Sequence, residues 1–528
     1  MNYRPGRKCS YRHAHACSNT VRLCVGLWVI AIIAFAPGTG AAADKYYYVG
    51  GVKPIGIPGE NETWKWSAST VSNAYDEILE MDDSGNVWEI RVAAGYNECP
   101  ASRVLMDGTN SNGQASASKV AGIYGSRVWD ASTSSHDAVG TNYNNKSTLD
   151  GNYEVAGGLI RITSASGMTT GPVIDGLKLT RGDMKKGYAT TAGIYCTVSR
   201  TTLSNLEICY CRDDYGRYGL AMRVLANDCL ITDCWFHDNT GGSKAYDTTV
   251  DCGAIDRILV RNCLFSGNAA IHTAGLWNQS GPGAIVNCAF IGNTVRESSI
   301  LALGRTGVTV VNVLIADNHS EAGYNASNYL ASVGGHGSVA NNSYFANVTI
   351  ADNYDTTPPT PESPGVCLYG ESSGSTPGPR ESYVMNTVFK NNHGIVDDGR
   401  NTGAGWIVYT LADDELPDIG TMENNVQGSA TFRSGTYELA SGSLGIDAGG
   451  YVKTGSRSGK SFKYLDVNRD NDYDICLDVI VWAESGFSFY PPLSGANFDI
   501  VATNALGSWN ANGVYTEGNP RILSLIHI

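Results

Sequence analysis

The chain is poor in charge, in proline and in long apolar runs. Only 17% of its 528 residues are charged, and 17 prolines stand against 62 glycines. That balance excludes a charged helical bundle and points to turn-rich β structure. The main apolar stretch, residues 27–36, is too short to span a bilayer comfortably, so no transmembrane span is expected in the mature chain. Basic residues are scarce as well: 37 Lys and Arg face 51 Asp and Glu, for a formal net charge of −14. A nucleic-acid partner would demand a basic patch to neutralise phosphates, so that class is excluded. No Cys-x-x-Cys pair and no Cys/His spacing resembles a zinc motif.

What is present begins with an export signature. Arg4, Arg7, Lys8, Arg12 and Arg22 accompany the apolar run, and Ala41, Ala42 and Ala43 precede Asp44. Residues 1–43 read as a signal peptide, with an uncleaved anchor as the alternative. The product is expected to be secreted or exposed on the cell surface. Without residues 1–43 the chain carries 32 basic against 51 acidic residues, a net charge of −19. Three of the 14 cysteines fall in that segment. The remaining eleven are odd in number, so at least one is free or paired between chains; export permits disulfides. At the far end, residues 523–528 match what a common transposase adaptor encodes in one frame. They are expected to be a sequencing artefact, with the natural chain continuing past Ile522.

One short pattern recurs seven times. It starts at Asn205, Asp233, Asn262, Asn287, Asn312, Asn347 and Asn386. Six residues on stand Asn239, Asn268, Asn293, Asn318, Asn353 and Asn392, with Cys211 in the first copy. Successive starts are 28, 29, 25, 25, 35 and 39 residues apart. A period of this size signals a solenoid, and the uneven spacing marks loops of different length. The positions one and three after each start are Leu206/Ile208, Cys234/Phe236, Cys263/Phe265, Cys288/Phe290, Val313/Ile315, Val348/Ile350 and Thr387/Phe389. Period two places them on one face of a strand, pointing inward. Coils stacked about 4.8 Å apart then pile Phe and Ile into a continuous column. The later Asn suits a left-handed corner, and its amide can bond its neighbours along the stack.

A second motif precedes each start: Ala192-Gly193-Ile194-Tyr195, Cys252-Gly253-Ala254-Ile255, Ala274-Gly275-Leu276-Trp277 and, loosely, Gly365-Val366-Cys367. Glycine there permits a sharp bend between two faces of a coil. Nearer the amino end, residues 46–49 and 87–92 read as strands. Between them Val71, Ala74, Tyr75, Ile78 and Leu79 sit at helical spacing behind Ser69 or Thr70 as N-cap.

Gly-Gly-Ala-Ile-like segments alternating with Phe-x-x-Asn resemble the repeats of polymorphic outer membrane proteins and related bacterial secreted proteins of the pectin lyase-like superfamily. The Phe-x-x-Asn form is literal at Phe236, Phe265, Phe290 and Phe389, and relaxed to Ile at Ile315 and Ile350. The opening, with Arg91-Val92-Ala93-Ala94-Gly95, and the tail, with residues 443–449 and Gly518-Asn519-Pro520-Arg521, are similar too. The resemblance implies an all-β right-handed parallel β-helix with a short capping helix at its amino end. It divides the chain into a cap with first coils (44–172), a repetitive β-helix (173–430) and a carboxy-terminal β segment (431–522). It leaves activity open, because the superfamily holds lyases, hydrolases and adhesins alike.

Candidate sites are few. Asp466, Asn468, Asp470, Asp472 and Asp474 offer hard oxygen ligands on alternate residues, a pattern suited to Ca²⁺. They depart from an EF-type loop, where Asn471 replaces Gly and the closing acid, Asp478, comes one residue late; a solvated acidic turn is the alternative. Cys234, Cys263 and Cys288 share one position in three coils, so either two cross-link or all three fill the core. Arg212-Asp213-Asp214 and Gly335-His336-Gly337 resemble fragments of polygalacturonase sites, but the companion pieces are missing, which favours structural turns. Asp251, Asp256 and Arg257 hold the residue types of a lyase site. The outward positions Trp235, Leu264, Ala289, Leu314 and Val388 make an apolar stripe, expected to be covered by loops. Tyr195 and Trp277 are candidate outward aromatics for stacking on sugars. The favoured function is a non-catalytic adhesion or binding protein for a polysaccharide or cell-surface ligand. The alternative is a polysaccharide lyase or glycoside hydrolase working in the groove of the helix.

Overall fold

The computed structural model describes most of residues 45–444, apart from several loops, together with short strand pieces between 456 and 517. Residues 1–44, the acidic run at 466–474 and residues 518–528 lie outside the described part. Among the described residues the chain is a parallel β-helix, with sheets of 24, 10 and six strands running along it. One coil reads as four strand pieces. Met222–Val224 lies in the ten-stranded sheet, Leu230–Thr232 and Trp235–His237 in the long sheet, and Thr240–Gly241 in the six-stranded sheet.

The repeat dictates this winding. Phe236 pairs in register with Phe265, and Phe265 with Phe290. Their rings stack at centroid distances of 4.8 and 4.6 Å. Cys234, Cys263 and Cys288 are fully buried free thiols. Each Asn six residues after a start is buried and donates to the next: Asn239 to Asn268 at 2.9 Å, Asn268 to Asn293 at 2.9 Å, Asn293 to Asn318 at 3.0 Å. The ladder continues through Asn353 to Asn392 at 2.9 Å per step. In the first copy the Cys211 backbone N–H donates to Asn239 Oδ1 at 3.0 Å, so the ladder ends on a backbone donor.

Two expectations about geometry need correcting. The left-handed residues are the leading Asx and the residue before the ladder, as at Asn205 (φ 51°), Asp233 (φ 57°) and Asp238 (φ 52°), rather than the ladder Asn itself. The physical reason is that the corner is turned by the residues beside the ladder Asn, whose own buried amide bonds the coils on either side. Likewise Gly193 and Gly275 are absent from the positive-φ residues. They are needed for closeness: a Cβ on Gly193 would lie 2.0 Å from the Ala221 carbonyl oxygen, and one on Gly275 2.3 Å from that of Ile300.

Helix α1, Val71–Glu80, caps the amino end. The Thr70 hydroxyl accepts from Asn73 N, the capping arrangement that satisfies an orphan N–H. Its buried residues are Val71, Ala74, Tyr75, Ile78 and Leu79, the apolar set expected from the spacing. The buried Glu98 carboxylate accepts from Val71 N at 2.9 Å, a second partner for the helix amino end. The outer apolar stripe is covered towards its carboxy end, whereas Trp235 and Leu264 stay half-exposed. Ala289 and Leu314 pack with Tyr437, and Val388 and Leu411 with Ala430, Phe432 and Leu439, as the chain folds back over the long sheet.

Candidate functional site

The ten-stranded sheet builds a face of a different kind. Its strands alternate inward and outward: Ile160–Ile162, Ile194–Cys196 and Met222–Val224 each bury their outer two residues and leave the middle one half-exposed. Those middle residues are Arg161, Tyr195 and Arg223. Register continues the column, with Arg161 opposite Tyr195, Tyr195 opposite Arg223, Arg223 opposite Asp251 and Asp251 opposite Trp277. Five consecutive coils therefore set Arg, Tyr, Arg, Asp and Trp at one position. Tyr195 and Trp277 are three rungs apart, about 14 Å at β spacing.

Contacts along the column are electrostatic. The Arg161 guanidinium lies 5.2 Å from the Tyr195 ring centroid, within cation–π range. Arg223 Nε is 2.8 Å from Asp251 Oδ2, and the Asp251 side chain is only 2% exposed. Burial pushes the Asp251 carboxyl up to about 6, against the lowering pull of Arg223. The pair is thus an ion pair in a poorly hydrated place that does not meet hydrogen-bond geometry at Nε, and it holds the Arg223 guanidinium by charge alone at that atom.

The sequence placed Tyr195, Asp251 and Trp277 separately; the structure brings their backbones onto one ladder. Asp256, Arg257, Asp214 and residues 335–337 lie outside the described residues, as does the side chain of Trp277. Trp277 is therefore placed relative to Tyr195 by backbone register alone. Arg212 is committed elsewhere: its Nε and Nη2 donate to Asp183 Oδ2 at 2.9 and 2.8 Å, and it stacks over Tyr153. Cys252-Gly253-Ala254-Ile255 is not a copy of the second motif. Met222 pairs with Val250 and Val250 with Leu276, so Asp251, and not Ile255, occupies the aromatic position. Sequence reasoning missed Arg161 and Arg223. The signal was there in the triplets Ile-Arg-Ile and Met-Arg-Val, which share the apolar-x-apolar form of Ile-Tyr-Cys.

No protein-family model and no curated protein matches the chain. Among solved structures it is similar to pectate lyase Pel9A, at 13% identity over 80% of this chain and 96% of that one, with a TM-score of 0.36. A DFA-IIIase from Arthrobacter chlorophenolicus A6 is similar at 11% identity, over 68% of this chain and 98% of that one, with a TM-score of 0.25. These two are proteins the chain is similar to in fold, and the parallel β-helix is established by its own strand register.

Proposed function

We propose that the chain is a secreted or surface-exposed β-helix protein that binds a polysaccharide along the ten-stranded sheet without cleaving it. The observation that carries this reading is the single column of Arg161, Tyr195, Arg223, Asp251 and Trp277. Its rungs repeat at a fixed interval, so a linear polymer lying along it would meet the half-exposed Arg161, Tyr195 and Arg223 in order, with Asp251 buried behind Arg223. Aromatic rings supply faces for sugars, and guanidinium groups supply forked donors for hydroxyl and carboxylate oxygens. The Arg161 guanidinium, which rests on the Tyr195 ring, gives an acidic chain a local point of attraction for uronates.

One feature favours the rival reading of a lyase or glycoside hydrolase: burial pushes the Asp251 carboxyl up to about 6. Its side chain is buried beneath an Arg223 contact, however, whereas hydrolysis takes two carboxylates flanking a bound sugar. A panel of uronate and neutral oligosaccharides tests both readings. Binding that falls at least tenfold in Tyr195→Ala and, for uronates only, in Arg161→Ala is the expected result. Release of unsaturated products or new reducing ends would overturn the non-catalytic reading, and unchanged binding in both variants would overturn the site.

A further inference from the structure

A second cluster sits on the outer side of the long sheet, away from the ladder. Strand Glu207–Cys209 lies beside Trp235–His237, with Cys209 directly opposite His237. One carboxylate oxygen of Glu207, the Cys209 sulfur and an imidazole nitrogen of His237 all lie within 4.8 Å of one another. His237 Nε2 is 3.4 Å from Glu207 Oε1, and Cys209 Sγ is 3.9 Å from the same oxygen. Tetrahedral zinc with bonds of about 2.0–2.3 Å sets its ligands roughly 3.3–3.7 Å apart, so these three need only small movements.

The surroundings hold the imidazole as a metal-binding histidine is held. Nδ1 faces Asp238 Oδ2 at 2.8 Å, the carboxylate partner that a metal-binding imidazole keeps on its far nitrogen, while Nε2 faces Glu207. The Trp235 indole stacks on the ring at 3.9 Å and Tyr210 meets it edge-on, so the ring cannot rotate freely. Trp235 is itself fixed, donating from Nε1 to Ser266 Oγ at 2.9 Å. Lys178 reaches Glu207 with a side chain 31% exposed, so it can withdraw to solvent when a cation takes its place.

We infer that Glu207, Cys209 and His237 form a binding site for a borderline transition-metal dication of the Zn²⁺ type. Thiolate and imidazole select such an ion over Ca²⁺, which takes oxygen ligands. On binding, the metal gains bonds to Sγ, Nε2 and a Glu207 oxygen, with solvent water as the fourth ligand. The thiol proton and any proton on Nε2 leave to solvent, so metal uptake is accompanied by proton release. No short motif announces the site, because Cys209 and His237 are 28 residues apart in sequence and adjacent only through stacking.

The test is titration of the full chain with Co²⁺, then displacement by Zn²⁺. One equivalent should produce a near-ultraviolet sulfur-to-cobalt charge-transfer band and visible bands of four-coordinate cobalt. Cys209→Ser should abolish the charge-transfer band, and Glu207→Gln, a near-isosteric change, should weaken affinity. Asp238→Asn should weaken it about ten- to a hundredfold while keeping the spectrum. Circular dichroism confirms that each variant is folded. A folded wild-type chain that gives no sulfur–cobalt band, or a band that survives in Cys209→Ser, overturns the proposal.

Discussion

Truncating one rung of the asparagine ladder isolates what the repeat contributes. Asn268 is fully buried and its side chain makes four hydrogen bonds. Nδ2 donates to Phe236 O and Asn293 Oδ1, each at 2.9 Å. Oδ1 accepts from Asn239 N at 3.2 Å and from Asn239 Nδ2 at 2.9 Å. In Asn268→Ala both Asn239 donors lose this acceptor in a place water does not reach. Asn293 Oδ1 keeps the Asn268 backbone N–H at 3.1 Å. At about 1–3 kcal/mol per orphaned buried donor, the two together cost about 4 kcal/mol. Asn268→Asp separates the two sides of the rung. It still accepts from Asn239, but it turns a second acceptor towards Phe236 O and Asn293 Oδ1, so it is weak at neutral pH. Protonation of the introduced carboxyl restores one donor, hence the Asn268→Asp variant regains stability as pH falls. The assay is urea unfolding followed by tryptophan fluorescence at two pH values. A loss below about 1 kcal/mol in Asn268→Ala, or no pH dependence in Asn268→Asp, refutes the reasoning.

Three further outcomes follow from the same geometry. Phe265→Ala removes the middle ring of a three-ring stack and should cost about 3–5 kcal/mol by urea unfolding. Phe265→Leu should lose clearly less, and equal losses would deny the stack its role. Gly193→Ala places a methyl 2.0 Å from a backbone carbonyl and should lower the unfolding midpoint by the equivalent of at least about 1–3 kcal/mol. A neutral result would mean the neighbouring coil yields. Asp251 has a folded pKa raised to about 6 from 3.8, so the native state holds its proton more tightly than the unfolded state. Its contribution to stability is therefore largest at acid pH and falls between about pH 4 and 6, by up to about 3 kcal/mol. The difference in stability between wild type and Asp251→Asn should change across that window and stay flat above it.

The fold was legible because the inward half of each coil is written in one alphabet. Phe236, Phe265 and Phe290, and the buried amides that follow them, recur at fixed offsets from an Asx, and a stack tolerates little else there. The helix was legible for a similar reason: five apolar residues at helical spacing, behind Thr70, have one economical burial. What the offsets concealed was backbone conformation. An Asn that tolerates left-handed geometry and an Asn that reaches inward for its neighbour look alike in sequence. So do a glycine chosen for φ and one, like Gly193, chosen because a carbonyl stands where its Cβ would be.

The outward half is legible only once the register is known, because outward side chains are free to differ from coil to coil. Tyr195 and Trp277 stood out as aromatics, yet Arg161 and Arg223 between and beside them carried no motif of their own. Asp251 was hidden by a false copy, four residues further on, that matched the glycine pattern better than the true strand does. Glu207, Cys209 and His237 were invisible for the same reason: a carboxylate, a thiol and an imidazole spread over two coils become neighbours only through a 28-residue loop closure. A β-helix thus converts a sequence interval of 25 to 39 residues into one rung of about 4.8 Å. Sites on it are made of residues that are remote in the chain and equivalent in phase. A one-residue insertion between the strands Arg212–Asp213 and Met222–Val224 leaves every inward column intact if neither strand shifts. Moving the strand Trp235–His237 by one residue instead turns His237 inward and destroys both the core and the metal cluster. A loop insertion that keeps cobalt binding, beside a strand insertion that abolishes both binding and folding, is the pattern this phase argument demands.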